Sequence, residues 1–417
     1  MRVIRVVVPL LILSIQYYLY RKTIRALREG GSTGPLINVV TVLFILFNFL
    51  ALFAMLQSGN LLHLPLWVRY SILYPLYIWQ GGTFFTFLFL FLASSISGAF
   101  RGTVALVRVN KTAREKLDRL KSSPNYDRNM KARRAFLRNS AYVFAGASFA
   151  GTAYGMLIER TRVEVTSAEF FLPNLDPILD GFTIGLITDI HSSAYMPQAQ
   201  MEKYVTLLNS LGCDLIAVNG DFINSSVEEV YPFTEAFSRL RAPYGVYGVM
   251  GNHDYYNLDP DRVAREVINS GIKLLFDENV SIVKNGASFS LLGVDDIGRG
   301  ASAEKHIKSA LGKTASGTPK VLLCHRPYYL PEASQLGIDL VLSGHTHGGQ
   351  IVLGRVGETV LAPASLASQF VWGRYQIGDC SMYVSRGIGT VGVPVRINCP
   401  PEITSIILRS GSLGRQA

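Results

Sequence analysis

Five short apolar runs in the C-terminal half of this chain each stop at a residue able to bind a metal ion. Residues 182–188 run into Asp189 and His191, 215–218 into Asn219, Gly220 and Asp221, and 246–250 into Gly251 and Asn252. Residues 321–324 run into His325, and 340–343 into Gly344, His345 and His347. Runs of this length alternating with helical stretches read as strands of an α/β domain. In open α/β sheets the carboxyl ends of strands line the crevice where ligands bind, so five such ends are expected to meet at one point. The glycines at 220, 251 and 344 permit sharp turns there. A lone histidine after a strand is usually structural; five polar strand ends in one domain are not a chance pattern.

Ligand type sets the chemistry. Imidazoles with two carboxylates and an amide oxygen form a mixed nitrogen and oxygen set that suits Zn, Mn or Fe and is too rich in nitrogen for Ca or a lone Mg. Seven ligands exceed one tetrahedral ion. They fit two ions about 3.5–4 Å apart, sharing a carboxylate and a water, the arrangement that clamps the attacking and leaving oxygens of phosphoryl transfer.

The N-terminal part obeys another solvent. Residues 36–56 are an almost uncharged apolar run, long enough to cross about 30 Å of hydrocarbon. Residues 81–100 form a second, preceded by Tyr74, Tyr77 and Trp79 as an interfacial belt. Residues 6–20 are shorter and contain Pro9 and Gln16; we read them as a span, with an interfacial helix or signal-anchor as the alternative. Residues 140–158 are uncharged but rich in Ala, Gly and Ser, a fourth span or a buried soluble helix.

Charge orients these segments. Residues 1–138 carry 19 Lys/Arg and 4 Asp/Glu, whereas the rest carry 21 and 26, so the overall +10 belongs to membrane topology and not to a nucleic-acid surface. Arg21, Lys22, Arg25 and Arg28 follow the first segment, and 101–138 holds 12 Lys/Arg. Both stretches are expected in the cytoplasm, which puts everything after Ile158 in the periplasm or outside the cell. Arg133, Arg134, Phe136, Leu137 and Arg138 read either as a twin-arginine-like export signal or as an ordinary positive-inside cluster. Ala145 and Ala147 leave cleavage by a signal peptidase open. The expected layout is about three spans in 1–100, a basic cytoplasmic loop over 101–139, a fourth span or signal-anchor over 140–158, and the catalytic domain over 159–417. Cys213, Cys324, Cys380 and Cys399 form no Cys-x-x-Cys pair, which argues against a zinc ribbon or a thioredoxin-like site.

The motifs Asp189-x-His191, Gly220-Asp221, Gly251-Asn252-His253-Asp254, His325 and Gly344-His345-Thr346-His347 resemble, in order, the five motifs of calcineurin-like metallophosphoesterases. The likeness covers about 183–407. In His347-Gly348-Gly349-Gln350, Arg386 to Gly389, Pro394, Arg396, Asn398 and Pro400 it is similar to a membrane-anchored bacterial branch. The resemblance implies an αββα fold of two sheets flanked by helices, here preceded by a transmembrane region, with 289–294 and 383–385 as further strands. It implies one divalent metal held by Asp189, His191 and His347, a second by Asn252, His325 and His345, and Asp221 bridging. A metal-bridging hydroxide would attack the phosphorus. His253, held by Asp254, would stabilise the phosphate or protonate the leaving oxygen.

Around this set, Asp295 and Asp296 read as turn or cap residues, His306 as solvent-exposed and His63 as interfacial. Arg326, Gln350 and Arg386 are candidate contacts to substrate phosphate. Tyr255, Tyr256, Tyr328 and Tyr329 could stack on a base, with packing as the default. The function expected is a membrane-anchored, metal-dependent phosphoesterase acting on a phosphodiester, pyrophosphate or phosphomonoester. Proximity to the bilayer favours a lipid-linked substrate such as UDP-diacylglucosamine or a phospholipid; the residues name no protein partner. The rival is a non-catalytic metal-binding scaffold or sensor on a membrane anchor, a class that generally loses a ligand or the motif histidine.

Overall fold

The computed structural model describes residues 2–56, 64–107, 109–122, 125–257, 259–298, 302–312, 314–315, 317–357 and 359–411; His63 and most of the loop around it lie outside these. The chain divides into two compact units, a helical one ending at Tyr154 and an α/β one beginning at Gly155.

The helical unit holds α1 (Arg2–Glu29), α2 (Gly34–Leu56), and α3 (Leu66–Val68), which continues through a π-turn at Arg69–Leu73 into α4 (Tyr74–Val107). After these come α5 (Lys111–Lys121) and α6 (Tyr126–Leu157). Among the described residues three stretches are long and apolar enough to cross a membrane: Gly34–Met55, Arg69–Leu106 and Arg128–Thr161. The expected first span, 6–20, differs. It is the first part of α1, which runs on through Arg21, Lys22, Arg25 and Arg28, and this helix is not among the three. Inside the unit the buried Gln16 amide donates to Gln80 Oε1 (3.0 Å) and Thr83 Oγ1 (2.7 Å), polar pairing of the kind that joins helices in lipid. The basic stretch expected as a loop is helical for most of its length: it ends α4, forms α5 and begins α6. Arg133 to Arg138 lie within unbroken helix, so the twin-arginine reading gains no support.

The α/β unit contains two six-stranded sheets. One has the order β1 (Glu164–Leu172), β14 (Glu402–Ser410), β2 (Thr183–Ile187), β3 (Leu215–Asn219), β4 (Val246–Val249), β5 (Lys273–Leu274). The other runs β12 (Gly373–Ile377), β13 (Cys380–Val384), β9 (Leu340–Ser343), β8 (Lys320–Cys324), β7 (Ala287–Val294), β6 (Glu278–Lys284). A separate hairpin, β10 (Gly354–Val356) with β11 (Thr359–Leu361), sits between β9 and β12 in sequence. β3 is buried at every position because it is covered on both faces, which is why it reads as a continuous apolar run.

Between the sheets lie Leu186, Ala217 and Val249 from the first and Leu291, Leu323 and Leu342 from the second. The outer face of the first sheet is covered by α7 (Gln198–Ser210), α8 (Val230–Phe237) and α9 (Pro260–Asn269). That of the second is covered by α10 (Glu304–Leu311) and α11 (Leu330–Gln335). In α7 the buried Met201, Tyr204, Val205 and Leu208 recur at helical spacing; each such side chain contributes about 1.5–3 kcal/mol by leaving water. α9 starts where Asp259 caps the Arg262 amide (3.1 Å) and Pro260 occupies the first turn. This is the αββα sandwich expected from the sequence. One element the sequence reading passed over is β1, which pairs in parallel with β14 and begins five residues after Glu159.

Candidate metal centre

The five polar strand ends do meet, but from two sheets. β2, β3 and β4 deliver Asp189, His191, Asp221, Asn252 and His253 from one; β8 and β9 deliver His325, His345 and His347 from the other. The crevice is therefore the shared carboxyl edge of a sandwich and not the switch point of a single open sheet. Asn219 joins the two edges: its Nδ2 donates to the Leu342 carbonyl (2.6 Å), and its own carbonyl accepts from the Thr188 hydroxyl (2.8 Å).

Two groups of candidate ligands result, Asp189, His191, Asp221 and His347 in one and Asp221, His325 and His345 in the other, with ligand atoms in each within 4.8 Å of one another. Asp221 is common to both: its Oδ2 lies 3.4 Å from His191 Nε2 and 3.2 Å from His325 Nε2. Asp189, His191, Asp221, His345 and His347 all take positive φ, between 49° and 72°. Each non-glycine residue held there costs about 1–2 kcal/mol, strain typical of sites where geometry outranks stability.

The residues fit divalent cations. His191 Nε2 faces His347 Nε2 at 3.1 Å, and His345 Nδ1 faces His325 Nε2 at 3.2 Å. Two neutral imidazoles meeting lone pair to lone pair repel unless a proton or a cation lies between them. Buried Asn252 Oδ1 has no hydrogen-bond partner, whereas buried polar atoms ordinarily have one. The tautomer of His325 is set by its Nδ1 facing the Asn219 carbonyl at 2.9 Å, which leaves Nε2 for a ligand. Burial alone would lower His325, yet the Asp221 carboxylate beside it pushes it up to about 10, so without a metal this ring holds a proton on Nε2 facing Asp221, where a cation would take the proton's place; burial would raise Asp221, but His325 and His191 hold it well below the carboxylate range. Burial lowers His191, His345 and His347, so these rings are neutral and able to donate lone pairs.

Close backbone approach holds the site together. A Cβ on Gly251 would lie 2.3 Å from both the amide nitrogen and Oδ1 of Asp221. Gly251→Ala is accordingly expected to displace the shared carboxylate, lower metal content on elemental analysis and reduce turnover about 100-fold, the usual result of a misplacement near 1 Å. Unchanged metal and rate would show that the close approach relaxes freely.

Several expected roles need correction. Asp254 does not hold His253: its carboxylate accepts from the Gly251 amide (2.8 Å) and the Ile223 amide (3.1 Å), fixing the loop. The His253 ring instead sets Nδ1 2.5 Å from the Asn224 carbonyl, with its plane edge-on to His191 at 4.6 Å. Arg386 is turned away from the crevice, its guanidinium bound to Glu402 (2.9 Å) and Glu164 (3.0 Å). Gln350 accepts from the Val391 amide (2.9 Å) and donates to the Val393 carbonyl (2.7 Å), pinning a loop. Arg326 is buried and paired through Nε and Nη2 with Asp296.

Asp295, expected as a turn residue, accepts from the Tyr255 hydroxyl (2.6 Å), and Asp296 is the partner of Arg326; both brace motif residues. His306 has its Nδ1 2.5 Å from Asp277 Oδ2. Of the tyrosines, Tyr255 and Tyr329 are packed, Tyr328 meets the His345 ring edge-on at 5.8 Å, and Tyr256 is exposed with its ring 5.0 Å from His253. The four cysteines are buried and unlinked. Asn224, Thr188 and Glu402 escaped the sequence reading because each acts on a residue far along the chain.

Residues 182–349 match the family model described as calcineurin-like phosphoesterase. Over 273 residues the chain is 32% identical to a transmembrane protein with metallophosphoesterase domain from Bos taurus, an alignment covering 61% of this chain and 59% of that protein. The Danio rerio protein of the same description is 30% identical over 61% of this chain and 60% of its own. An uncharacterized metallophosphoesterase of Bacillus subtilis (strain 168) is 28% identical over 67% of this chain and 98% of its own. The alignments thus span about three fifths of the two vertebrate relatives. The expected bacterial branch has no support, since vertebrate proteins stand among these relatives. Residues 182–349 are thus similar to calcineurin-like phosphoesterases and bring together two groups of candidate metal ligands, on a protein with long apolar helices.

Proposed function

We propose, taking the calcineurin-like metallophosphoesterase domain as premise, that the crevice of this membrane-associated protein hydrolyses a phosphodiester or pyrophosphate whose alcohol part is anchored in lipid. The observation carrying the hydrolytic reading is the Asp221 carboxylate shared between two ligand groups. Asp189, His191 and His347 would hold one divalent ion, Asn252, His325 and His345 the other, and Asp221 both. Such a pair, when bound, supplies Lewis acidity to the phosphoryl oxygens and a water acidic enough to attack near neutral pH.

The chain's own residues do the rest. With Nδ1–H donated to the Asn224 carbonyl, His253 has Nε2 free to hold a proton and pass it to the leaving oxygen. Asp254 and Asn224 keep the loop and the ring in place. His253→Ala is expected to keep its metal content and to lose about 10²–10⁴-fold in the chemical step. Equal loss of metal would make His253 a structural residue. Hydrolysis of a soluble aryl phosphodiester by the full chain with added Mn, abolished by a chelator, separates the enzyme from a scaffold; no turnover under any metal would end the hydrolytic reading.

The lipid-linked substrate rests on the tether: the crevice shares a chain with helices long and apolar enough to cross a bilayer. The side is argued from charge: the 12 Lys/Arg of 101–138 favour a last crossing with its N-terminal end in the cytoplasm, which would put the domain from about residue 159 outside. Protease accessibility on spheroplasts tests it, and digestion only after the membrane is broken would reverse the orientation.

A further inference from the structure

The segment between Gln350 and Gly373 has a surface unlike the rest of the α/β unit. It carries two charged residues, Arg355 and Glu358, in 22 positions. It forms the β10–β11 hairpin and the turn Pro363–Leu366, and it leaves large apolar side chains in water: Leu366 is 95% exposed, Leu353 74% and Val356 68%, with Leu361 and, from a nearby loop, Val393 also exposed. Underneath, Val352, Val360, Ala362 and Val371 pack into a small cluster of their own with Cys399, so the exposed residues are held out by a formed element.

What lies beside the hairpin says what would cover it. Val352 donates its amide to the Ile397 carbonyl (2.8 Å), and Asn398 Nδ2 donates to the Val352 carbonyl (3.1 Å). The same 396–399 segment receives the end of α6: the Arg396 amide donates to the Gly155 carbonyl (3.2 Å), and the Cys399 amide to the Glu159 carboxylate (2.9 Å). The last residues of the stretch Arg128–Thr161, which is long and apolar enough to cross a bilayer, belong to the α/β unit from Gly155 on and lie on the strip of backbone that carries the base of the hairpin. At the hairpin's other edge the guanidinium of exposed Arg355 lies over the Trp372 ring (4.9 Å), an aromatic and basic pairing suited to the headgroup level. Cys399 also reaches the candidate centre, its Sγ donating to the His347 carbonyl (3.2 Å).

We propose that residues 351–372 are a membrane-contacting hairpin: Leu353, Val356, Leu361 and Leu366 enter the outer part of the same bilayer that α6 crosses, and so hold the rim of the candidate metal centre at the lipid surface. An apolar face of this kind flanked by Trp and Arg lies in the interface and does not span it. The benefit of the contact, though not its geometry, rests on the lipid-linked substrate proposed above.

The test uses the full chain in vesicles of phosphatidylcholine and phosphatidylglycerol. Because the four native cysteines are buried, a fluorophore can be placed selectively through Leu366→Cys, with Lys305→Cys on exposed α10 as the reference. Lipids bearing a nitroxide on the acyl chain are expected to quench the label at position 366 about twofold or more and to leave position 305 unquenched. Equal quenching at the two positions overturns the proposal. A second variant, Leu353→Asp with Leu366→Asp, is expected to keep its rate on a soluble aryl phosphodiester and lose about tenfold on a vesicle-embedded phospholipid diester. An equal fall on both substrates would make the hairpin a structural brace and overturn the proposal. Quenching at position 366 without hydrolysis of any embedded lipid upholds the hairpin and removes the lipid-linked substrate.

Discussion

Asp221→Asn is expected to abolish turnover, by on the order of 10³-fold or about 4 kcal/mol of barrier, and to lower the bound metal at the same time. The substitution keeps the shape of the side chain and changes its charge. Asp221 is fully buried, and its Oδ2 stands between His191 and His325, while Oδ1 accepts the His253 amide (2.8 Å). Removing the charge deprives both ligand groups of their common anion and unpins the segment bearing His253. The variant is to be compared with the parent by steady-state hydrolysis, elemental analysis and thermal melting without added metal. A variant that melts normally and hydrolyses at the parental rate would mean that the shared carboxylate plays no part in the reaction.

The second large effect concerns stability. Arg386→Ala is expected to destabilise the α/β unit by about 3–5 kcal/mol, because truncating one partner leaves a buried charge unpaired; this corresponds to a fall of roughly 10 °C in Tm. Glu402 is fully buried and accepts from Arg386 Nε (2.9 Å), the Arg386 amide (3.0 Å), Thr166 (2.6 Å) and Tyr383 (2.5 Å), while the Arg386 guanidinium stacks on Trp372. Burial alone would raise the Glu402 carboxyl, but Arg386 together with the Thr166 and Tyr383 hydroxyls outweighs it and holds the group below the ordinary glutamate range.

The sign of the pH dependence follows from that depressed value. The pair's contribution is fully present above about pH 4.3, the unfolded glutamate value, and is lost as pH falls through the lower folded value. The gap between parent and variant should therefore be widest near neutral pH and close in acid. Melting curves from pH 3 to 8 measure it, and KM for the soluble ester should stay at its parental value in the folded variant. A normal Tm with a raised KM would return Arg386 to the role of phosphate contact.

These two residues mark how far the sequence could be read. Asp221 was legible because its role is local in form: an apolar run, then Asn219, Gly220 and the acid, at a strand end where polar groups collect. All the ligand candidates share that form, and the structure places each at the crevice. Arg386 was not legible. An arginine after a strand with glycine beside it has the form of an anion contact, and its real partner, Glu402, lies in β14 with nothing in its own surroundings to announce it. The same holds for His253. Its neighbour Asp254 looks like its support, yet the carboxylate faces Gly251 and Ile223, and the ring is held by a backbone carbonyl 29 residues away. A main-chain acceptor leaves no trace in residue identity.

The sequence by itself determined the strands that end in the ligands, the sharp turns at their ends, the chemistry of the ligand set and the long apolar helices, since each depends on residue type and spacing over a few positions. Tertiary structure decided the division of five strand ends between two sheets, the sharing of Asp221, the capture of Arg386, Gln350 and Arg326 by protein groups, and the seating of the 351–372 hairpin beside the end of α6. Those outcomes depend on which buried polar groups meet across 16 to 240 residues of chain, and burial demands a partner without specifying it until the core has closed.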